Sequence, residues 1–151
     1  MSPNNWGPPI WCFFHTLAEK LKPEYFSIVF PPLYNFIRRI CNNLPCPDCS
    51  SHATSFLRKI NYKSIRTKQD LINVLYIFHN AVNKRKRKPL FHVNNMTSYA
   101  SNNLIKAYND FITAYTTRGN VKLIADNFQR NLIIKDLKTW LMRNAQYFDT
   151  S

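Results

Sequence analysis

The chain is predicted to be all-α, a four-helix bundle with additional helices at its C-terminal end. Three observations predict it. Only two glycines, Gly7 and Gly119, occur in 151 residues, too few for a turn-rich β-protein. Apolar residues make up 45% of the chain, enough at this length for one buried core. Apolar positions also recur three and four apart through most of the sequence.

In the first helix Trp11, Phe14, Leu17, Ala18 and Leu21 fall at helical spacing. The second runs from about Tyr25 to Ile40, with Pro31 and Pro32 expected to bend or interrupt its first part. The third starts near Pro47 and continues through Phe56 and Leu57. The fourth opens with Thr67-x-x-Asp70, a capping pattern, and carries Leu71, Leu75, Phe78 and Val82 on one face. The run "KRKRKP" ends it. Beyond it come weaker amphipathic segments, from Met96 to Tyr115, Val121 to Asn131 and Lys135 to Tyr147. The first four helices are expected to make a compact unit over residues 1–95. Residues 96–151 would form a helical extension packed on the same domain.

Lys and Arg outnumber Asp and Glu by 21 to 8, a formal charge of +13. Such a surplus attracts nucleic acid, acidic protein surfaces or a phosphate-bearing cofactor, and is equally compatible with a plain basic surface. Residues 1–5 carry no basic side chain, and Pro8, Pro9 and His15 break the apolar stretch that follows, so no secretory signal is expected. No apolar run is long enough to span a bilayer. The expectation is a cytosolic chain whose four cysteines are catalytic or metal-bound rather than a static framework.

The stretch "LPCPDCSSHA" carries the chemistry. Pro47 suits the first helical position, which puts Cys46 at the cap and Cys49 in the first turn. Unpaired N–H groups and the helix dipole then act on both sulfurs and favour thiolate. Two intervening residues let the pair close a disulfide with little backbone movement, a reversible dithiol switch. The rival is zinc: Cys41, Cys46, Cys49 and His52 are four soft ligands within twelve residues. With the positive charge that would make a Cys3His nucleic-acid-binding module. Cys12 and Cys41 also read as small buried hydrophobes.

On the fourth helix Tyr76, His79, Asn80 and Asn83 stand at i, i+3, i+4 and i+7. A solvated polar face explains that row. So does a flat heterocycle with hydrogen-bonding edges. Trp11 and His15, four apart, make a second such pair.

In chain order these pieces read W-x-x-x-H, C-x-x-C-x-x-H, then H-N-x-V-N followed by K-P-x-F. Over roughly residues 6–92 the chain resembles the Erv/ALR family of FAD-linked sulfhydryl oxidases, through "WGPPIWCFFHTLA", "LPCPDCSSHA" and "FHNAVNKRKRKPLF". The opening Trp-Gly-Pro and the Leu-Pro-Cys look most like the versions from large nucleocytoplasmic DNA viruses. The resemblance implies a helical bundle holding FAD at its mouth. It implies oxidation of protein dithiols, with electrons passing through the cysteine pair and flavin to O2 and H2O2 as product. Cys46 would exchange with substrate thiols and Cys49 would face the flavin. Trp11, His15, His79, Asn80, Asn83 and Lys88 would line FAD, with Val82 and Phe91 nearby and His52 in contact from the redox turn. It further implies a homodimer, a thioredoxin-like relay or viral structural proteins as partners, and a viral late protein in the host cytoplasm or virion.

Two departures stand out. Phe91 is followed by His92 and Val93, so the disulfide that staples many family members is absent, and no second C-x-x-C occurs. Substrates would reach Cys46 directly, or Cys12 or Cys41 would stand in as the shuttle. The run Lys84–Lys88 allows three uses: a solvated helix end, an FAD contact through Lys88 and Arg85, or a nuclear or nucleic-acid-binding signal.

Overall fold

The computed structural model describes residues 3–116 and 124–150. The all-α expectation holds. Six helices are described: α1 Pro3–Lys20, α2 Phe26–Asn42, α3 Pro47–Lys59, α4 Lys68–Arg85, α5 Leu104–Tyr115 and α6 Ile124–Asn144. Among the described residues the extended backbone amounts to one isolated bridge, Leu21 with Phe148.

Pro31 and Pro32 do not interrupt α2. The carbonyls they leave unbonded belong to Ser27 and Ile28, in the exposed first turn, which is open to solvent. The α4 cap forms as expected. Asp70 N–H donates to Thr67 Oγ1 at 3.1 Å, and Thr67 N–H donates back to Asp70 Oδ2 at 3.2 Å.

The expected segment from Met96 to Tyr115 is two elements, a 3-10 stretch over Val93–Ser101 and then α5. Ser98 and Ser101 donate to backbone carbonyls three residues back, and Asn103 Oδ1 caps α5 through Lys106 N–H at 2.8 Å. Such short polar side chains compete with regular helix. The two segments expected over 121–131 and 135–147 are instead one helix, α6, with a 3-10 turn at Ala145–Tyr147; residues 121–123 lie outside the described ones. No glycine or proline separates them, so nothing stops the helix.

Helix α1 lies between α4 and α5, and α2 between α3 and α6. Phe13 of α1 stacks on Phe111 of α5 with centroids 4.7 Å apart, both fully buried. Tyr115 donates its hydroxyl to the Ile40 carbonyl at 3.2 Å, joining α5 to the end of α2. Arg39 of α2 pairs with Asp136 of α6 at 2.9 Å. One apolar core results, to which Phe111, Ile133, Leu137 and Phe148 contribute alongside the first four helices.

Candidate active site

Pro47 starts α3 at the position where its missing N–H costs nothing, and this leaves Cys46 as the cap. A sulfur stands where a cap oxygen usually does: Cys49 N–H donates to Cys46 Sγ at 3.2 Å. The Cys49 thiol also donates to Cys46 Sγ, the two sulfurs being 2.6 Å apart. Cys46 is half-buried and Cys49 buried, so the pair has an outer and an inner member. Ser50, which sequence reasoning passed over, braces the turn by accepting from Leu44 N–H at 2.8 Å.

The helix N-terminus was expected to lower both thiols. At Cys49 the opposite holds. Burial pushes this thiol up and the bond to Cys46 adds to that, while Lys86 and Arg85 pull the other way without cancelling it.

Behind Cys49 lies a cavity of about 40 Å3, walled by Trp6, Trp11, Cys41, His52, Phe78 and Val82. Arg85 and Lys86 also line it. The Lys86 ammonium sits 5.6 Å from the Trp6 ring, and the Arg85 guanidinium bonds the carboxylate of Asp48, inside the C-x-x-C turn. Trp6 Nε1 and His15 Nδ1 are buried polar atoms with no hydrogen-bond partner. Burial also depresses His52, with the Arg85 cation adding to the effect.

The side chains singled out on α1 and α4 meet one another. Trp11 lies flat on His79, with centroids 4.3 Å apart and planes 7° apart, and His15 Nε2 bonds His79 Nδ1 at 3.0 Å. Burial lowers His15 to about 3 and His79 to about 4, helped by His79 in the first case and Lys88 in the second. Both rings are therefore neutral at pH 7. Phe91 extends the stack at 5.3 Å from His79, and Tyr99 covers His15 at 4.6 Å. Tyr99 gave no signal in the sequence, because its place depends on how the 3-10 stretch docks on α1.

Asn80 has a definite task. Its Oδ1 accepts from Phe91 N–H at 2.7 Å and its Nδ2 donates to the Phe91 carbonyl at 3.0 Å, so one side chain clamps both faces of that backbone unit. Asn83 is half-buried beside it, and its carbonyl accepts from Lys88 N–H at 2.8 Å. Lys88 itself is exposed. Tyr76 departs from the row and lines a separate open groove of about 670 Å3 with Glu19, Arg66, Lys68 and Met96.

Cys41, Cys46, Cys49 and His52 do not assemble into a ligand set; among the described residues no group of three or more His, Cys, Asp or Glu could hold a metal ion. Cys41 is fully buried and its thiol is pushed far up by burial, which keeps it neutral. Cys12 contacts Thr16 and Asn102 instead of the redox pair.

Several viral proteins are similar to this chain in sequence. A FAD-linked sulfhydryl oxidase of African swine fever virus (isolate Pig/Kenya/KEN-50/1950) is 29% identical over 123 residues, 75% of this chain and 98% of the relative. One from the isolate Tick/Malawi/Lil 20-1/1983 is 34% identical over 92 residues, 57% of this chain and 71% of its own length. Protein 347L of invertebrate iridescent virus 6, likewise named for FAD-linked sulfhydryl oxidase activity, is 31% identical over 96 residues, 60% and 86% of the two chains. No solved structure matches. The sequence pattern of the Erv1/Alr family matches residues 8–103, which include the redox turn, the stacked rings and the Asn80 clamp, and the chain belongs to that family.

Proposed function

We propose that this chain is a FAD-linked thiol oxidase that converts protein dithiols to disulfides through Cys46 and Cys49. The observation that carries the reading is the graded exposure of the pair: an outer sulfur at the cap of α3, an inner one in the wall of an aromatic cavity. The residues suit FAD. The rings of Trp11, His79, His15 and Phe91 offer faces to a flat heterocycle, and the unpartnered Trp6 Nε1 and His15 Nδ1 suit its polar edge. Asn80, Asn83 and Lys88 would flank it, with Val82 and His52 nearer Cys49. The cavity of about 40 Å3 is smaller than a flavin ring, so holding one requires side chains that line it to move apart. Bound there, FAD supplies a two-electron acceptor that O2 reoxidises with H2O2 as product.

The chain's own residues handle the sulfur chemistry. A substrate thiolate attacks Cys46 Sγ of the Cys46–Cys49 disulfide. A substrate–Cys46 mixed disulfide forms, and Cys49 leaves as thiolate. The second substrate thiolate attacks the substrate sulfur of the mixed disulfide, releasing substrate disulfide and Cys46 thiolate. The peptide N–H of Cys49 stands 3.2 Å from Cys46 Sγ, where it stabilises that charge. Burial denies substrates the inner sulfur, so attack falls on Cys46. Residues 1–95 would carry the oxidase site, with 96–151 as its packed extension. Substrates would be viral proteins or a thioredoxin-like relay, met by a homodimer in the host cytoplasm or virion.

Purified protein with flavin absorbance and dithiothreitol-dependent O2 uptake is expected, with uptake abolished in Cys46→Ser and in Cys49→Ser. Full activity in either variant, or colourless protein carrying stoichiometric zinc, would reject the assignment.

A further inference from the structure

The charge run Lys84–Lys88 does more than end a helix. Its Arg85 bonds Asp48, which stands between the two redox cysteines, so the run is attached to the C-x-x-C turn. Lys86 is held 5.6 Å from Trp6 at the cavity beside Cys49. Lys84, Arg85, Arg87 and Lys88 are exposed. One member of a run of five cations thus pairs with Asp48, the only acidic residue between Leu44 and His52.

A helix macrodipole accounts for cations anywhere in the last turn of α4. It does not account for Arg87. Lys88 N–H donates to the Asn83 carbonyl at 2.8 Å and Arg87 N–H to the Lys84 carbonyl at 3.2 Å, a Schellman ending. Arg87 occupies its left-handed position with φ 57°, where glycine is the unstrained choice. A long cation stands at a backbone position that penalises a side chain, and strain of this kind points to function.

We propose that Lys84, Arg85 and Arg87 form a cationic collar at the redox turn that selects dithiol proteins with acidic residues flanking the reactive cysteines. This rests on the thiol-oxidase reading above. Opposite charge on substrate and collar raises encounter rate and orients the docked chain over Cys46, and like charge suppresses it. Since the collar is exposed, salt must weaken the effect.

The test uses holoenzyme and three peptides with one C-x-x-C dithiol in the same central sequence, flanked by Glu, Gln or Lys. At about 20 mM salt the Glu peptide should exceed the Lys peptide at least tenfold in kcat/KM, converging to within about twofold at 0.5 M, where the screening length is short. The variant Lys84→Gln/Arg87→Gly should lower the acidic preference at least threefold. It should leave dithiothreitol oxidation unchanged and the melting temperature equal or higher, since glycine relieves φ 57°. Equal rates for the three peptides beside normal dithiothreitol oxidation would overturn the collar and spare the oxidase. A variant that loses only duplex-DNA binding would overturn it too, in favour of a nucleic-acid patch. If dithiothreitol is not oxidised at all, the oxidase reading fails. Equilibrium binding of the same labelled peptides, read by anisotropy, then decides the collar: Glu preference supports it and equal binding rejects it.

Discussion

Asn80→Ala removes the clamp on Phe91. Two hydrogen bonds are lost, at 2.7 and 3.0 Å. A protein hydrogen bond contributes roughly 0.5–1.5 kcal/mol net, so the pair is worth about 1–3 kcal/mol. Phe91 is half-buried, and water reaching its freed N–H and C=O keeps the cost inside that range. Asn80→Asp is the informative control. It keeps the shape and the acceptor for Phe91 N–H, but sets a carboxylate oxygen against the Phe91 carbonyl where an N–H now donates. At pH 7 Asp should therefore cost at least as much as Ala despite being isosteric. Urea unfolding at constant slope measures both, and amide exchange at Phe91 localises the effect. The reasoning is refuted if both variants stay within about 0.5 kcal/mol of the parent, or if Asp is clearly more stable than Ala.

Four further outcomes are expected. His15 and His79 titrate near 3 and 4 in the folded chain against an ordinary 6.5, so the unfolded chain takes up protons first. Their stabilisation is complete above pH 6.5 and falls as pH drops toward 4, by up to ~1.4 kcal/mol per pH unit for each ring; urea midpoints that stay flat from pH 7.5 to 4.5 would contradict it. Arg87→Gly alone should raise stability by ~1 kcal/mol, read by thermal unfolding, and a loss would mean that the arginine side chain carries packing. Phe111→Ala should cost about 3–5 kcal/mol, because the ring is fully buried against Phe13; a cost under 1 kcal/mol by denaturant titration would make α5 a loose appendage. Thr67→Ala should cost ~1 kcal/mol through the lost capping box, with Thr67→Ser restoring most of it.

What could be read from the sequence was whatever short-range chemistry decides. Pro47 fixes the start of α3 and so makes Cys46 the cap; Thr67 and Asp70 fix α4; a four-residue spacing puts Trp11 and His15 on one side of α1. The family pattern assigned that pair and His79 to one cofactor, whereas spacing within helices says nothing of which helices meet. Long-range packing stayed hidden. The periodicity of Leu104, Ala107, Phe111 and Tyr115 announces a buried face without naming α1 as its cover. Tyr99 joins the rings because α1 and the 3-10 stretch dock, and nothing near it in sequence says so. Asn80 looked like a free amide awaiting a ligand, but Phe91, eleven residues on, takes up a donor and an acceptor. The thiol environment was misjudged for a related reason: a helix end is visible in a sequence, whereas the burial that outweighs it at Cys49 is a property of the assembled core.

The position of α1 between α4 and α5 governs which parts of the site can open on their own. Trp11 and His15 sit on a helix with neighbours on both sides, so its amides are expected to be among the last to exchange. The first turn of α3 is an edge, braced by Ser50 and the Asp48–Arg85 pair, and needs far smaller excursions to expose its backbone. Opening of the redox turn is therefore expected to cost less than opening of the ring wall. Local reorganisation at Cys46 would then leave the ring stack packed, and the fold could be softened at the redox turn without loosening that stack.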